Sequence, residues 1–292
     1  MALECVDDYY VKGERTLQEQ GNQAVVVIPI YSQRPSQTEE IAYRQVLEIL
    51  GNHPIALIVP EGLDVSYYQS FHNSAIERFA TFYFQGVGGY SRLLLSPKFY
   101  RRFIKYEFIL IYQLDAFVFR DELLEWCDAG FDYVGAPWFQ GFNSISEGAG
   151  FLGVGNGGFS LRRIRSCLKA LNQFSWLIPP HKIWNNYLSH NLIRRILCMP
   201  ALFANFTVRN NSFHLFNDFS GNEDLFWGLY VTKNFNWFNT ATIDAAIRFS
   251  FECNPRLLFQ QNQNKLPFGC HAWMRYDYKF WKPHIEQFGH HL

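Results

Sequence analysis

Glu107-Phe-Ile-Leu-Ile-Tyr-Gln113-Leu-Asp115-Ala-Phe-Val-Phe119 holds the key to the chain. An apolar run drives into a single carboxylate, Asp115, and a second apolar run follows it. A strand buried on both faces reads as near-continuous apolar sequence rather than as an alternation. An ionised Asp at its end has to be paired, hydrated or bound to a metal. In open α/β sheets, ligands sit beyond the carboxyl ends of the strands, so Asp115 falls where a ligand is expected. The plain structural alternative is an Asp that caps the turn or helix after the strand.

Upstream, the apolar residues 24–31, closed by Ser32-Gln-Arg34-Pro35-Ser36, read as a buried first strand. Thr38-Glu-Glu opens a helical pattern (Ile41, Val46, Leu47, Leu50) that stops at Gly51. Residues 55–59 predict a second strand, and residues 78–84 a third, ending in Gly86-Val-Gly88-Gly89. Strand, helix and strand in alternation predict right-handed βαβ units and a mostly parallel sheet. Downstream, a short helix is expected over 122–129, then Phe131-Asp-Tyr-Val-Gly-Ala-Pro137-Trp138, and residues 141–150 read as a polar loop able to act as a lid. The organisation expected is a lead-in over 1–22, one α/β domain over 23–280 and a tail over 281–292.

Of the 292 residues, 48% are hydrophobic, enough for a sizeable core. The 26 basic and 26 acidic residues balance, which argues against a broad nucleic-acid footprint. Aromatic residues make up 18%; most are expected in the core, with some Tyr and Trp free to form platforms for sugar or base rings. Six scattered cysteines lack any paired spacing, which suits a reducing compartment rather than zinc or a disulfide framework. The acidic start carries no signal-peptide pattern, and no apolar run is long enough to span a bilayer, so a cytoplasmic protein is expected.

Three further motifs carry chemistry. In Gly153-Val-Gly155-Asn156-Gly157-Gly158-Phe159-Ser160-Leu161-Arg162, glycines permit close approach of backbone to a ligand, or else form a tight hairpin. The GxGxxG spacing occurs, but it neither follows the first strand nor opens a helix, so it is not a dinucleotide fingerprint. In Gly221-Asn222-Glu223-Asp224-Leu225-Phe226-Trp227, two carboxylates at a helix start suit the macrodipole, and either can serve as general base toward a hydroxyl. Pro267-Phe268-Gly269-Cys270-His271-Ala272-Trp273 offers a His that could complete a carboxylate metal site. Between these lies an apolar stretch with Arg194 and Arg195. It reads as an amphipathic helix on the core, with a membrane surface near a lipid-linked acceptor as the second reading.

Taken in order, Gln-Leu-Asp-Ala-Phe, Asp-Tyr-Val-Gly-Ala-Pro-Trp, Gly-Asn-Gly-Gly-Phe-Ser-Leu-Arg, Glu-Asp-Leu-Phe-Trp and Phe-Gly-Cys-His-Ala-Trp resemble a domain-of-unknown-function family placed beside GT-A glycosyltransferases. The resemblance covers roughly residues 24–275. It implies a single GT-A-like, Rossmann-type domain, a mostly parallel sheet flanked by helices, binding a nucleotide sugar at the ends of its first strands. More distantly the order is similar to inverting galactosyl- and N-acetylglucosaminyltransferases. By that resemblance, Gln113 and Asp115 take the slots of an Asp-x-Asp motif, Asn156, Gly157 and Gly158 the acceptor strand, Glu223 and Asp224 the acidic pair, and His271 the late metal ligand.

The expectation is therefore a glycosyltransferase moving a sugar from a nucleoside diphosphate donor to a hydroxyl of a glycan or lipid-linked glycan. Pro29, Tyr31, Arg34, Arg92, Gln113 and Asp115 would hold the donor; Trp138, Asn156, Gly157 and Gly158 would line the acceptor side. Asp224, with Glu223 second, would be the base. Mn²⁺ or Mg²⁺ would sit on Asp115 and His271. Because Gln113 is neutral, transfer without a metal is the parallel expectation, with Arg34 and Arg92 as the cations. The rival reading is a non-catalytic carbohydrate-binding or scaffold protein with a degenerate site; a nucleotidyltransferase is a third, poorly matched by Ser32-Gln-Arg34-Pro35 after the first strand.

Overall fold

The computed structural model describes residues 23–141, 150–176, 178–213 and 221–292. The expected lead-in over 1–22 and most of the expected lid loop lie outside the described residues. Strands β1 (Ala24–Pro29), β2 (Ile55–Pro60), β3 (Ala75–Phe79) and β4 (Phe108–Tyr112) pair in parallel in the order β3-β2-β1-β4. After β5 (Phe117–Val118), β6 (Tyr133–Val134), β7 (Ala136–Phe139) and β8 (Phe151–Gly155) comes β9 (Phe159–Arg163). β9 runs antiparallel to β4 and carries β6 on its other edge, completing a six-stranded, mostly parallel sheet. β7 and β8 form a separate antiparallel pair, and β5 joins β10 (Ser250–Phe251) and β11 (Gly269–Cys270) in a small third sheet.

The continuous apolar strands are explained by helices on both faces. Val26 and Ile28 of β1 point into one core cluster with Tyr43 and Val46 of helix α1 (Gln37–Leu50). Val25 and Val27 point into the opposite cluster, with Leu93 of α2 (Gly86–Leu94) and Phe99 of α3 (Pro97–Arg102). Helix α4 (Leu123–Asp128) joins the first cluster through Leu123 and Trp126, and α5 (Ile164–Asn172) the second through Ile164 and Cys167. Ser36 caps α1 in a capping box with Glu39, as the Ser-x-x-Glu spacing allows. Gly51 closes it in ordinary right-handed geometry, φ −63°, rather than a left-handed one.

Three readings of the sequence are corrected. The third strand is Ala75–Phe79, and Thr81–Phe84 form a 3₁₀ turn instead of strand. Phe84 there turns onto Tyr31, edge to face with centroids 5.7 Å apart. The apolar stretch with Arg194 and Arg195 does not lie on the core. It forms helices α6 (Pro180–Leu188) and α7 (Leu192–Thr207), neither with a buried residue. Past α8 (Ile243–Phe249) and α9 (Pro255–Gln261), residues 281–292 are not a loose tail. Trp281 and Ile285 of helix α10 (Tyr278–Glu286) are buried in a third cluster with Phe117, Phe119 and Trp273.

Candidate active site

A cleft of about 630 Å³ opens where β1, β4 and the β8–β9 turn end. β4 stops at Tyr112 in a tight turn in which the Ala116 N–H donates to the Gln113 carbonyl (2.9 Å), setting Asp115 at the cleft with its side chain half exposed. The Gln113 N–H donates to the Gly158 carbonyl (2.8 Å), tying this turn to the β8–β9 connection.

That connection explains its glycines. Asn156 is fully buried at φ 103°, and its Oδ1 accepts from the Gly158 and Phe159 N–H groups (3.0 and 3.1 Å), so it shapes the turn and does not line the cleft. A Cβ on Gly157 would stand 2.4 Å from Glu223 Oε1, and one on Gly158 only 2.0 Å from His271 Nε2. The glycines thus let functional side chains, rather than a distant ligand, approach the backbone.

His271 leaves β11 between two carboxylates. Nδ1 lies 3.1 Å from Glu252 Oε1, and Nε2 lies 3.2 Å from Asp115 Oδ1 and 3.3 Å from Gln113 Oε1. Burial alone would lower the pKa of the imidazole, but Asp115 and Glu252 outweigh it and hold it at about 10. Burial raises the pKa of the Asp115 carboxyl, and His271, with Arg275 further off, brings it below the ordinary value. Glu252 also accepts from Trp138 Nε1–H at 3.1 Å, so this carboxylate orients both the imidazole and the indole.

The acidic pair divides. Glu223 is 3% exposed and takes a hydrogen bond from Arg162 Nη2 at 3.0 Å; Arg162, fully buried on β9, also donates to Ser160 and Tyr100. Among the described residues no cation pairs with Asp224 in this way. Its Oδ2 accepts from the Gly157 N–H (3.2 Å) and its Oδ1 from the Leu225 N–H (2.9 Å). Burial, then Glu223 and Glu252, push its carboxyl up to about 7.

Of the residues expected from sequence, Tyr31, Gln113, Asp115, Trp138, Gly157, Gly158, Glu223, Asp224 and His271 line this one cleft. Pro29, Arg34 and Arg92 do not. Pro29 is buried at the end of β1, Arg92 is exposed on α2, and the Arg34 guanidinium lies over the Tyr67 ring at 5.3 Å. Among the described residues the Arg or Lys that lines the cleft is Arg275, four residues after His271, which gave no separate sequence signal. Glu252 was also missed. Its signal is a weaker form of that of Asp115, a short buried strand (Ser250–Phe251) running into a carboxylate. Tyr90 adds an aromatic wall beside Tyr31, with centroids 6.1 Å apart.

Among the described residues no group of three or more His, Cys, Asp or Glu is placed to hold a metal ion. The donors that do converge are one carboxylate, one amide oxygen and one imidazole nitrogen: Asp115, Gln113 and His271 Nε2. These three are the residues that could hold a divalent cation, at the cost of the proton His271 Nε2 carries toward Asp115.

Residues 73–271 match the family described as "Protein of unknown function (DUF5672)". No curated protein sequence matches the chain. Among solved structures it is similar to glycosyltransferases. With the glycosyltransferase GlyE of Streptococcus pneumoniae it shares 12% identity, covering 86% of this chain and 54% of that one, at a TM-score of 0.42. The chain therefore spans about half the length of GlyE. With the galactosyltransferase LgtC, solved with donor and acceptor sugar analogues, the identity is 13%, the coverage 91% and 94%, and the TM-score 0.43. With mouse xyloside xylosyltransferase 1 the identity is 10%, the coverage 85% and 96%, and the TM-score 0.43.

Proposed function

The chain belongs to the DUF5672 family, and from the chemistry of its cleft we propose that it is a cytoplasmic glycosyltransferase acting on a nucleoside diphosphate sugar. The observation that carries the reading is one cleft lined both by a carboxyl held at about 7, Asp224, and by two cationic side chains, His271 and Arg275. A base with a pKa near the working pH is what deprotonating an acceptor hydroxyl calls for. A departing nucleoside diphosphate needs positive charge beside it.

In this reading Tyr31, edge-on to Phe84 and Tyr90, offers its exposed face to the nucleobase, and Trp138 with the Gly157–Gly158 backbone lines the acceptor side. Asp224 takes the proton of the attacking hydroxyl. Glu223, held by Arg162, contributes to raising the pKa of the Asp224 carboxyl. A single in-line displacement then inverts the anomeric centre. A divalent cation would be held by Asp115, with Gln113 and His271 Nε2, and would supply neutralisation of the diphosphate. Without it the Arg275 guanidinium supplies that charge, the His271 imidazolium being paired with Asp115 and Glu252. The acceptor class we assign is a hydroxyl of a glycan or lipid-linked glycan.

The test is a thermal-shift panel of nucleoside diphosphate sugars, with and without Mn²⁺, on the native chain and on Asp115→Ala. A ligand that binds only the folded state raises its melting temperature, by about 2.7 kcal/mol of stability at a hundredfold excess over Kd. At least one donor should stabilise the native chain and not Asp115→Ala, whose half-exposed side chain leaves the fold intact when removed. Stabilisation by free glycans and by no nucleotide sugar would instead favour the carbohydrate-binding alternative.

A further inference from the structure

Residues 178–210 leave the domain and return to it through a narrow neck. The Ile178 N–H donates to Asn210 Oδ1 (2.8 Å), and Asn210 Nδ2 donates back to the Ile178 carbonyl (2.7 Å). Just inside it, Ser212, fully buried, donates to the Gln173 carbonyl (2.8 Å) and accepts from the Ser175 N–H (3.0 Å). Between the two sides of the neck run α6 and α7, packed on each other and joined by residues 189–191, with Asn191 Oδ1 capping α7 through the Arg194 N–H (2.9 Å). Core packing does not account for this hairpin, because neither helix buries a residue.

Half-buried Arg195, Cys198, Leu202, Asn205 and Phe206 recur at helical spacing and mark the side of α7 turned to α6, where the Arg195 guanidinium donates to the Leu188 carbonyl. The opposite side is apolar and open: Leu192 is 72% exposed, Ile193 73%, Ile196 61%, Leu197 74% and Phe203 71%. A contiguous exposed patch of this kind on a soluble chain marks an interaction surface. Its charge selects the partner. From 148 to 217 the sequence holds no Asp or Glu, while Lys182, Arg194, Arg195 and Arg209 all fall in the hairpin or at its foot. A second copy of the chain would set these cations against their own kind. A bilayer surface rich in anionic lipid answers both features, taking the apolar side chains into the acyl boundary and the exposed Lys182, Arg194 and Arg209 at the head groups. At about 1.5 Å per residue the helix is about 24 Å long, short of the roughly 30 Å hydrocarbon core, and no helix among the described residues is long and apolar enough to cross a membrane.

We propose that the α6–α7 hairpin is a docking element that lies on the surface of an anionic membrane. The test is co-sedimentation of the purified full chain with vesicles of phosphatidylcholine alone and of phosphatidylcholine mixed with phosphatidylglycerol. The native chain binds the mixed vesicles and not the neutral ones. Leu197→Glu with Phe203→Glu, and separately Lys182→Gln with Arg194→Gln, each weaken that binding by about tenfold or more. Circular dichroism and the urea midpoint stay at native values, since these side chains are exposed or half exposed. Failure of the native chain to bind the mixed vesicles, or binding left unchanged by both double variants, overturns the proposal. So does a dimer in solution that the Leu197→Glu, Phe203→Glu variant splits, which would give the patch to a second copy.

Discussion

Asp224 and Glu223 stand side by side in sequence and differ in what surrounds them. Glu223 has a buried guanidinium at 3.0 Å, while Asp224 has two backbone N–H groups and two neighbouring carboxylates. Its carboxyl keeps a proton to about 7 in the folded chain, against an ordinary value of 3.8. Two consequences of opposite sign follow. If Asp224 is the base, the rate rises with pH and levels off above about 7, and Asp224→Asn lowers turnover ~10²–10⁴-fold with donor affinity little changed. For stability, the folded state binds more protons than the unfolded state between about pH 4 and about pH 7, so this group costs stability as pH rises through that window. Asp224→Asn should therefore melt above the native chain at pH 8, with the gap closing toward pH 4. A variant that turns over normally at saturating donor and acceptor would remove Asp224 from the base role, whatever its melting behaviour. At this scale the place of Asp115 in the cleft was legible, because a carboxylate at the end of an apolar strand has to find a partner, and that of His271 and the acidic pair through the resemblance of their motifs. Which member of the pair Arg162 would hold was not, because Arg162 sits on a strand 61 positions away.

The β8–β9 turn joins the two halves of the cleft, since Gln113 and Gly158 share a backbone hydrogen bond and Asp224 is held by the Gly157 N–H. Gly158→Ala places a methyl carbon 2.0 Å from His271 Nε2, where something must move. The imidazole is the freer partner, so its contacts to Asp115 and Gln113 open. Displacement of a catalytic group by about 1 Å can cost on the order of 10²-fold in rate. Gly158→Ala should thus lower kcat/KM by that order while the urea midpoint shifts little. Full activity in that variant would show that His271 need not sit at Asp115. The glycine run announced close approach in the sequence but not what approached. The third strand was misplaced for a related reason. Thr81-Phe-Tyr-Phe84 has the aromatic composition of a strand, yet Phe84 packs onto Tyr31 at the cleft instead of extending the sheet.

At the scale of the whole molecule, the parallel sheet was legible because β1, β2 and β4 are buried on both faces, and only helices on each side can do that. The parts that were not legible lie outside that rule. A polar-looking C-terminal segment gave no strong period, yet Trp281 of α10 is fully buried and stacks on Phe119 at 5.7 Å. Phe119 follows β5, and β5 pairs with β11, the strand that delivers His271. The C-terminal helix is thus one packing step from the site. Removing a buried Trp side chain costs about 3–5 kcal/mol. Trp281→Ala should therefore lower the urea midpoint by the equivalent of that loss. Because β11 loses its support, donor binding should weaken even under conditions where the variant stays folded. Trp281→Phe keeps most of the packing and should recover both. The two readouts separate the roles of the helix. A lower midpoint with native donor affinity would make α10 a stabilising element only, whereas a native midpoint in Trp281→Ala would show that the helix is not part of the domain's core at all.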